Sequence, residues 1–205
     1  QANPPWPGAP ASRKAYYRQP SSPTTRRDFT WANLNNDGYG GYFSNLCTQA
    51  LRASQCSELL ATGREADAAA ANSGANLVDY LRGVRTYESA TSTTTGTTTT
   101  TMLPLYRLRY GVLGDIVNGA PAYVSKPPFS YTDTGYVDFV TSKATRKPEV
   151  YVAANDGMLH AFSAATGTGN DGGTELWAYV PSAVMPSMYR LADSSYASGH
   201  RYLGD

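Results

Sequence analysis

The sequence predicts a mainly β protein: the first blades of a β-propeller, preceded by a small helical segment and an extended proline-rich arm. Three observations carry this reading. Residues 148–182 hold three β-prone runs separated by turn signals. Residues 43–83 place apolar side chains at spacings of three and four, the period of helices packed along one face. Residues 1–28 contain Pro4, Pro5, Pro7, Pro10, Pro20 and Pro23. The expected divisions are an arm over 1–28, a helical subdomain with a threonine-rich insertion over 29–103, and an incomplete propeller over 104–205.

In the arm, each proline fixes φ and removes a backbone donor, so the segment should be extended without regular structure of its own. A plain linker is the favoured role, and packing on a neighbour is the alternative. The following Asn33-Leu34-Asn35-Asn36-Asp37-Gly38 has oxygen-bearing side chains at alternate positions and a glycine, as a calcium loop begins. Such a loop needs a bidentate acid at its twelfth position, which here is Ser44. An ordinary turn is therefore expected.

From 43 to 60, Leu46, Ala50, Ala53, Ser57 and Leu60 can share a helix face. A second helix should start near Arg64 or Glu65 and break near Ser73-Gly74. Leu77, Val78 and Leu81 then form a stripe that Gly83 ends. Cys47 and Cys56 lie nine positions apart. In an oxidising compartment they could close a loop contributing about 3 kcal/mol; the alternative is two unpaired buried thiols. Residues 91–101 read TSTTTGTTTTT. They lack apolar periodicity, so a disordered loop is the default. An edge strand is also compatible with β-branched Thr, and O-linked sugars are conceivable there.

From Leu105 onward the chain is strand-rich. Tyr106, Leu108 and Tyr110 alternate with Arg107 and Arg109, the pattern of a half-buried strand. Further candidates are 113–117, 122–124 and 135–140. Then come 150–153, the turn Asn155-Asp156-Gly157, a return strand over 158–162, a Thr166-Gly167 turn, and 175–180 carrying Trp177. These make most of one antiparallel blade. Residues 183–193 read as a short helical excursion, and His200-Arg201-Tyr202 as the start of another strand. A propeller of roughly 40–50 residues per blade needs more than about 300 residues. The chain is therefore expected to hold about two blades and to be a fragment, the alternative being that other chains complete the ring.

A formal net charge of +1 argues against nucleic acid as partner. The basic spots Arg13-Lys14 and Arg26-Arg27 read as solvated surface. No apolar run reaches the roughly 20 residues of a membrane span. Residue 1 is Gln with no leader-like start, so the chain is expected to be either cytosolic or already processed. Among reactive side chains, His160 and His200 read as hydrogen-bonding residues of strands. Ser163 and Ser182 show no base partner and no nucleophile elbow. Asp156 reads as the cap of its own turn. No catalytic, cofactor-binding or metal residue is predicted. Residues 167–173 join two strands and read as a hairpin insertion, not a phosphate cradle.

Several of these motifs resemble one family. Val152-Ala153-Ala154-Asn155-Asp156-Gly157-Met158-Leu159-His160-Ala161-Phe162 and Ala178-Tyr179-Val180-Pro181-Ser182-Ala183-Val184 are similar to the signature of the PilC/PilY-type proteins of type IV pili. Leu113-Gly114-Asp115-Ile116-Val117-Asn118-Gly119-Ala120-Pro121, Leu77-Val78-Asp79-Tyr80-Leu81-Arg82-Gly83 and Phe29-Thr30-Trp31 precede them in the family's order. The threonine tract departs from it. The resemblance implies quinoprotein-like blades and an exported, non-catalytic protein at the outer surface or pilus tip, periplasmic in transit. Its implied role is pilus assembly and adhesion, with minor pilins and a host or abiotic surface as partners. It places the family's calcium site outside these residues, so no cofactor is assigned. A pyrroloquinoline-quinone dehydrogenase is the enzymatic alternative, through its Thr-Gly…Trp blade motif. Ser163 stands where that motif has Asp, and the motif occurs once. A self-associating filament subunit is the third reading.

Overall fold

A computed structural model describes residues 12–22, 24–49, 52–168, 171–199 and 203. Its strands are β1 (Ala15–Arg18), β2 (Arg26–Asp28), β3 (Thr91–Thr95), β4 (Thr98–Met102), β5 (Ala122–Val124), β6 (Glu149–Ala154), β7 (Met158–Ser163) and β8 (Glu175–Tyr179). Its helices are α1 (Trp31–Asn36), α2 (Cys56–Leu59), α3 (Glu65–Ala71), α4 (Gly74–Leu81), α5 (Tyr136–Ser142) and α6 (Tyr196–Gly199).

β5, β6, β7 and β8 form a four-stranded antiparallel meander, the topology of one propeller blade. The second blade expected from the sequence is not found among the described residues. β1 pairs parallel with β8 instead, and β2 folds back antiparallel on β1. This corrects the expectation for the arm: residues 15–18 and 26–28 are strands, because Ala15 and Tyr17 alternate inward and their burial outweighs the neighbouring prolines. The prolines at 4, 5, 7, 10 and 23 lie outside the described residues.

One face of the sheet is dry. Val152, His160 and Ala178 lie opposite one another across three strands, and all are buried. This face packs on the helical residues: Met158, Ala178 and Val180 join one core with Leu77, Leu81, Met185 and Met188. The other face carries Tyr151, Ala161 and Trp177 in a row, with the Tyr151 and Trp177 rings 5.7 Å apart and half-buried.

The helical residues behave as their caps dictate. Thr30, in extended backbone, starts α1 by accepting the Asn33 N–H, and Ser73 starts α4 by accepting that of Asn76. α4 buries Leu77, Val78, Tyr80 and Leu81, each contributing on the order of 1.5–3 kcal/mol if fully desolvated. Phe29 stands edge-on to Tyr17 and to Phe43, tying the β1–β2 hairpin to the helices. Cys47 and Cys56 are bonded to each other.

Other expectations are corrected. The helix expected over 43–60 is two short pieces, a 3-10 turn at Leu46–Thr48 and α2, joined by the disulfide; Leu60 is exposed. Residues 91–101 form the β3–β4 ribbon rather than a loop. Residues 106–110 are not a strand. Tyr106 is buried while Leu108 and Tyr110 project outward, and Arg109 is drawn inside by Glu88. Residues 113–117 are irregular. Residues 136–142 are helix, where Tyr136 and Phe139 can stack one turn apart. Residues 183–193 hold the expected excursion, a 3-10 run at Met185–Ala192. The strand expected at His200 lies outside the described residues. No helix is long and apolar enough to cross a membrane among the described residues.

Candidate functional site

The hairpin turn between β6 and β7 brings the charged side chains of the blade together. Ala154 pairs with Met158, leaving Asn155, Asp156 and Gly157 as a three-residue loop. Gly157 has φ of 82°, the left-handed position such a loop requires. Asp156 Oδ1 accepts the Met158 N–H at 3.1 Å, so it caps its own turn as expected. Its Oδ2 accepts the Gly114 N–H at 3.2 Å, and the Asn155 N–H donates to the Asp115 carbonyl at 2.9 Å. Residues 114–115 are thereby stitched onto the turn. A Cβ at Gly114 would lie 2.3 Å from the Asp156 nitrogen, so no side chain fits there.

Below the turn sits His160, fully buried. Its Nε2–H donates to Asp156 Oδ1 at 3.1 Å and its Nδ1–H donates to Glu175 Oε1 at 2.7 Å. Glu175 is held in turn by Arg13, whose Nε and Nη2 donate to the two carboxylate oxygens at 2.8 Å each. This is the bidentate fork that makes Arg–carboxylate pairs strong. The Arg13 and Glu175 side chains are 3% and 4% exposed. Two cations and two carboxylates thus form a chain that runs from the turn, through β7 and β8, to the residue pair preceding β1.

The electrostatics follow from this pairing. Burial opposes a charge on His160, but the hydrogen bonds to Asp156 and Glu175 outweigh it and raise its pKa to about 9. Burial likewise opposes ionisation of Glu175, yet the donors His160 and Arg13 lower its pKa to about 2. The imidazole is therefore a doubly donating cation at neutral pH. In that form it has no lone pair with which to act as a general base. Asp156 and Glu175 meet opposite ring nitrogens, so they do not converge on a common point. Among the described residues no group of His, Cys, Asp and Glu is placed to hold a metal ion. What the network can do is clamp: it fastens β1 to β8 and the turn to both.

A second buried pair braces the helical side. Glu88 accepts from Arg109 Nε at 2.7 Å and from the Arg109 backbone N–H at 3.1 Å. The Arg109 guanidinium lies 3.8 Å from the Tyr80 ring centroid and donates to the Tyr80 carbonyl at 2.9 Å. Burial pushes the Tyr80 phenol up to about 12.

Of the residues weighed from sequence, Asp156 caps its own turn and His160 is a hydrogen-bonding strand residue, as expected; that the two bond to each other was not foreseen. Ser163 donates to Asp171 at 2.8 Å, within the 167–173 insertion, of which 169 and 170 lie outside the described residues. The ordinary turn expected at Asn33–Gly38 is corrected: α1 runs through Asn36, and Asp37 after it takes the Tyr17 hydroxyl at 2.6 Å and the Arg27 guanidinium at 3.5 Å instead of a calcium-ligand position. The reading of Arg13 as solvated surface is corrected by its burial against Glu175. Arg13 and Glu175 were missed because their 162-residue separation leaves no local signal.

The site is thus a blade-like antiparallel meander whose charged groups are closed on one another. Residues 113–205 match the family model of the PilY1 beta-propeller domain. A type IV pilus biogenesis factor PilY1 homolog of Xylella fastidiosa is 39% identical over 144 residues, 67% of this chain and 10% of the relative. The type IV pilus biogenesis factor PilY1 of Pseudomonas aeruginosa strain UCBPP-PA14 is 30% identical over 207 residues, 96% of this chain and 14% of the relative. The PilY1 of strain PAK is 34% identical over 140 residues, covering 64% of this chain and 10% of the relative. The chain thus spans about a tenth of the length of the curated relatives it matches. No solved structure matches it.

The motifs that carry the resemblance now have physical reasons. Phe29 fills the core, Thr30 caps α1, and the Trp31 ring lies where a Cβ on Gly74 would stand. Arg82, within the Leu77–Gly83 run, donates to the Phe29 and Arg13 carbonyls at 3.2 and 3.1 Å.

Proposed function

We propose that this chain is part of a type IV pilus biogenesis factor and works there as a rigid, non-catalytic scaffold. In this reading the protein is exported, stands at the pilus tip, and acts in pilus assembly and in attachment to host or abiotic surfaces. The observation that carries the reading is the PilY1 family match over 113–205, joined to relatives named as pilus biogenesis factors that align with up to 96% of the chain. The closed network around His160 supports a scaffold over a catalyst, since its titratable groups are spent on one another. The half-buried Tyr151–Trp177 face supports stacking of a further blade. The Cys47–Cys56 bond suits an oxidising compartment outside the cytoplasm. Minor pilins are the partners we assign, with the 167–173 insertion, the threonine ribbon and the arm as contact segments, because loops on a stiff frame carry recognition.

The test is genetic and biochemical. The full-length protein, tagged, is followed into sheared pili and located by immunogold microscopy, and the deletion strain is scored for pilus number and adhesion. Recovery with pili, gold at fibre ends and loss of piliation on deletion are expected. Normal pili and normal attachment in the deletion strain would overturn the reading.

A further inference from the structure

The β3–β4 ribbon has no buried face: every residue of β3 is exposed, as is every residue of β4 except the partly covered Met102. A two-stranded ribbon alone is marginal in water. Its geometry says which edge is open. Gly96, at φ 63°, takes the first of the two loop positions, the placement of a type II′ turn. In such a hairpin the closing pair, Thr95 and Thr98, exchanges backbone hydrogen bonds, and bonded and non-bonded pairs then alternate. Thr94–Thr99 and Ser92–Thr101 are therefore non-bonded pairs, whose side chains approach most closely. Their hydroxyls indeed meet at 3.0 Å in both pairs.

It follows that the backbone groups of Ser92 and Thr94 point outward along β3, and those of Thr99 and Thr101 along β4. On the β4 edge the Thr101 carbonyl is engaged, accepting from Arg64 Nη1 at 3.1 Å. Among the described residues nothing bonds the outward backbone of Ser92 or Thr94. Exposed edges are normally guarded by Lys, Pro, a bulge or a covering segment. β3 reads TSTTT in unbroken register and has none of these.

We propose that β3 is a homotypic docking edge, pairing antiparallel with β3 of a second copy of this chain about a two-fold axis at Thr93. The outward residues lie one on each side of Thr93, so rotation brings Ser92 against the second copy's Thr94 and Thr94 against its Ser92. Residues 91–101 carry no charge, so two copies do not repel and no charged partner is selected. Threonines facing one another across strands are a favourable pair. A two-fold contact uses the same β3 edge of both copies, so it closes as a dimer instead of growing into a fibre. The product is a four-stranded sheet, beyond the size at which the ribbon alone is marginal. This inference goes beyond the pilus reading and does not rest on it.

Sedimentation equilibrium of the chain over a concentration series tests it. The mass is expected to rise from 22.0 kDa toward twice that value. Thr94→Pro removes an outward donor while leaving the ribbon's own ladder intact, and Thr93→Lys sets two ammonium groups across the axis. Each should weaken association at least about tenfold, whereas Thr99→Pro, on the β4 edge, should leave it unchanged. Circular dichroism checks that each variant folds, and Thr93→Lys covers the case in which proline melts the ribbon. A wild-type chain that stays at 22.0 kDa throughout, a Thr93→Lys variant that associates like wild type, or a Thr99→Pro variant as weakened as Thr94→Pro would each sink the proposal.

Discussion

His160 Nδ1 lies 2.7 Å from Glu175 Oε1, although strict alternation along β8 would put the two side chains on opposite faces of the sheet. His160 faces Ala178, and counting back from Ala178 sends Glu175 to the side of Trp177. A register shift between Ala161 and Phe162 changes this: Ala161 pairs with Trp177, but Phe162 pairs with Glu175. The extra residue, Leu176, is a β-bulge, and it turns the carboxylate onto the face of the imidazole. The clamp on Arg13 depends on that one irregularity.

The network predicts a bounded pH range of stability. For His160 the folded pKa of about 9 exceeds the ordinary 6.5. Its contribution is complete below 6.5 and is lost as pH rises through 9, on the order of 3 kcal/mol. For Glu175 the folded pKa of about 2 is below the ordinary 4.5. Its contribution is complete above 4.5 and is lost as pH falls toward 2. Urea unfolding across pH should show a plateau between about 4.5 and 6.5 and a decline on both sides. A flat alkaline limb would contradict the charged imidazole.

Replacing the central carboxylate should be severe. Glu175→Gln leaves Arg13 buried without its counter-ion, and breaking one side of such a pair costs about 3–5 kcal/mol. Removing both charges together, as Arg13→Met with Glu175→Leu, should recover part of that loss. Chemical denaturation of the single and double variants measures the difference. A double variant no more stable than Glu175→Gln would argue that the charge pairing is not what holds β1.

Gly114 and Gly111 make a matched test of close approach. A Cβ at 114 would meet the Asp156 nitrogen at 2.3 Å, whereas at 111 it would meet nothing within 4 Å. Gly114→Ala should lower stability by about 1–3 kcal/mol, as overpacking does, and Gly111→Ala should leave the midpoint near wild type. Thermal melts of the two variants decide it; equal melts would mean that 114–115 is not stitched to the turn.

Reduction of the Cys47–Cys56 bond frees a short loop in the unfolded chain. The expected loss is about 3 kcal/mol. It should appear as a lower urea midpoint in dithiothreitol, matched by Cys47→Ser with Cys56→Ser in the absence of reductant.

Much of the blade was legible beforehand because its determinants are local. The apolar runs of β6 and β7 and the Asn155-Asp156-Gly157 turn lie within fifteen residues of one another, and period and turn chemistry act at that range. The break between α3 and α4 at Ser73-Gly74 was equally local, whereas α1 over Trp31–Asn36 was not foreseen. Where the reading failed, distant partners decided. Arg109 alternates with tyrosines as a strand residue would, yet Glu88 and the Tyr80 ring take it inside. Tyr136 and Phe139 suit a strand by propensity, but their ring packing selects a helical turn.

The sequence by itself determined the β6–β7 hairpin that Asp156 caps, the break before α4 and the family resemblance, since each is written in residues near one another along the chain. Only the tertiary structure decided that Arg13, from the supposed arm, closes on Glu175 and that a bulge aims Glu175 at His160. Such pairings are settled by what burial leaves unpaired: a charge removed from water must find its counter-ion wherever the fold brings one, however far away it lies in the chain.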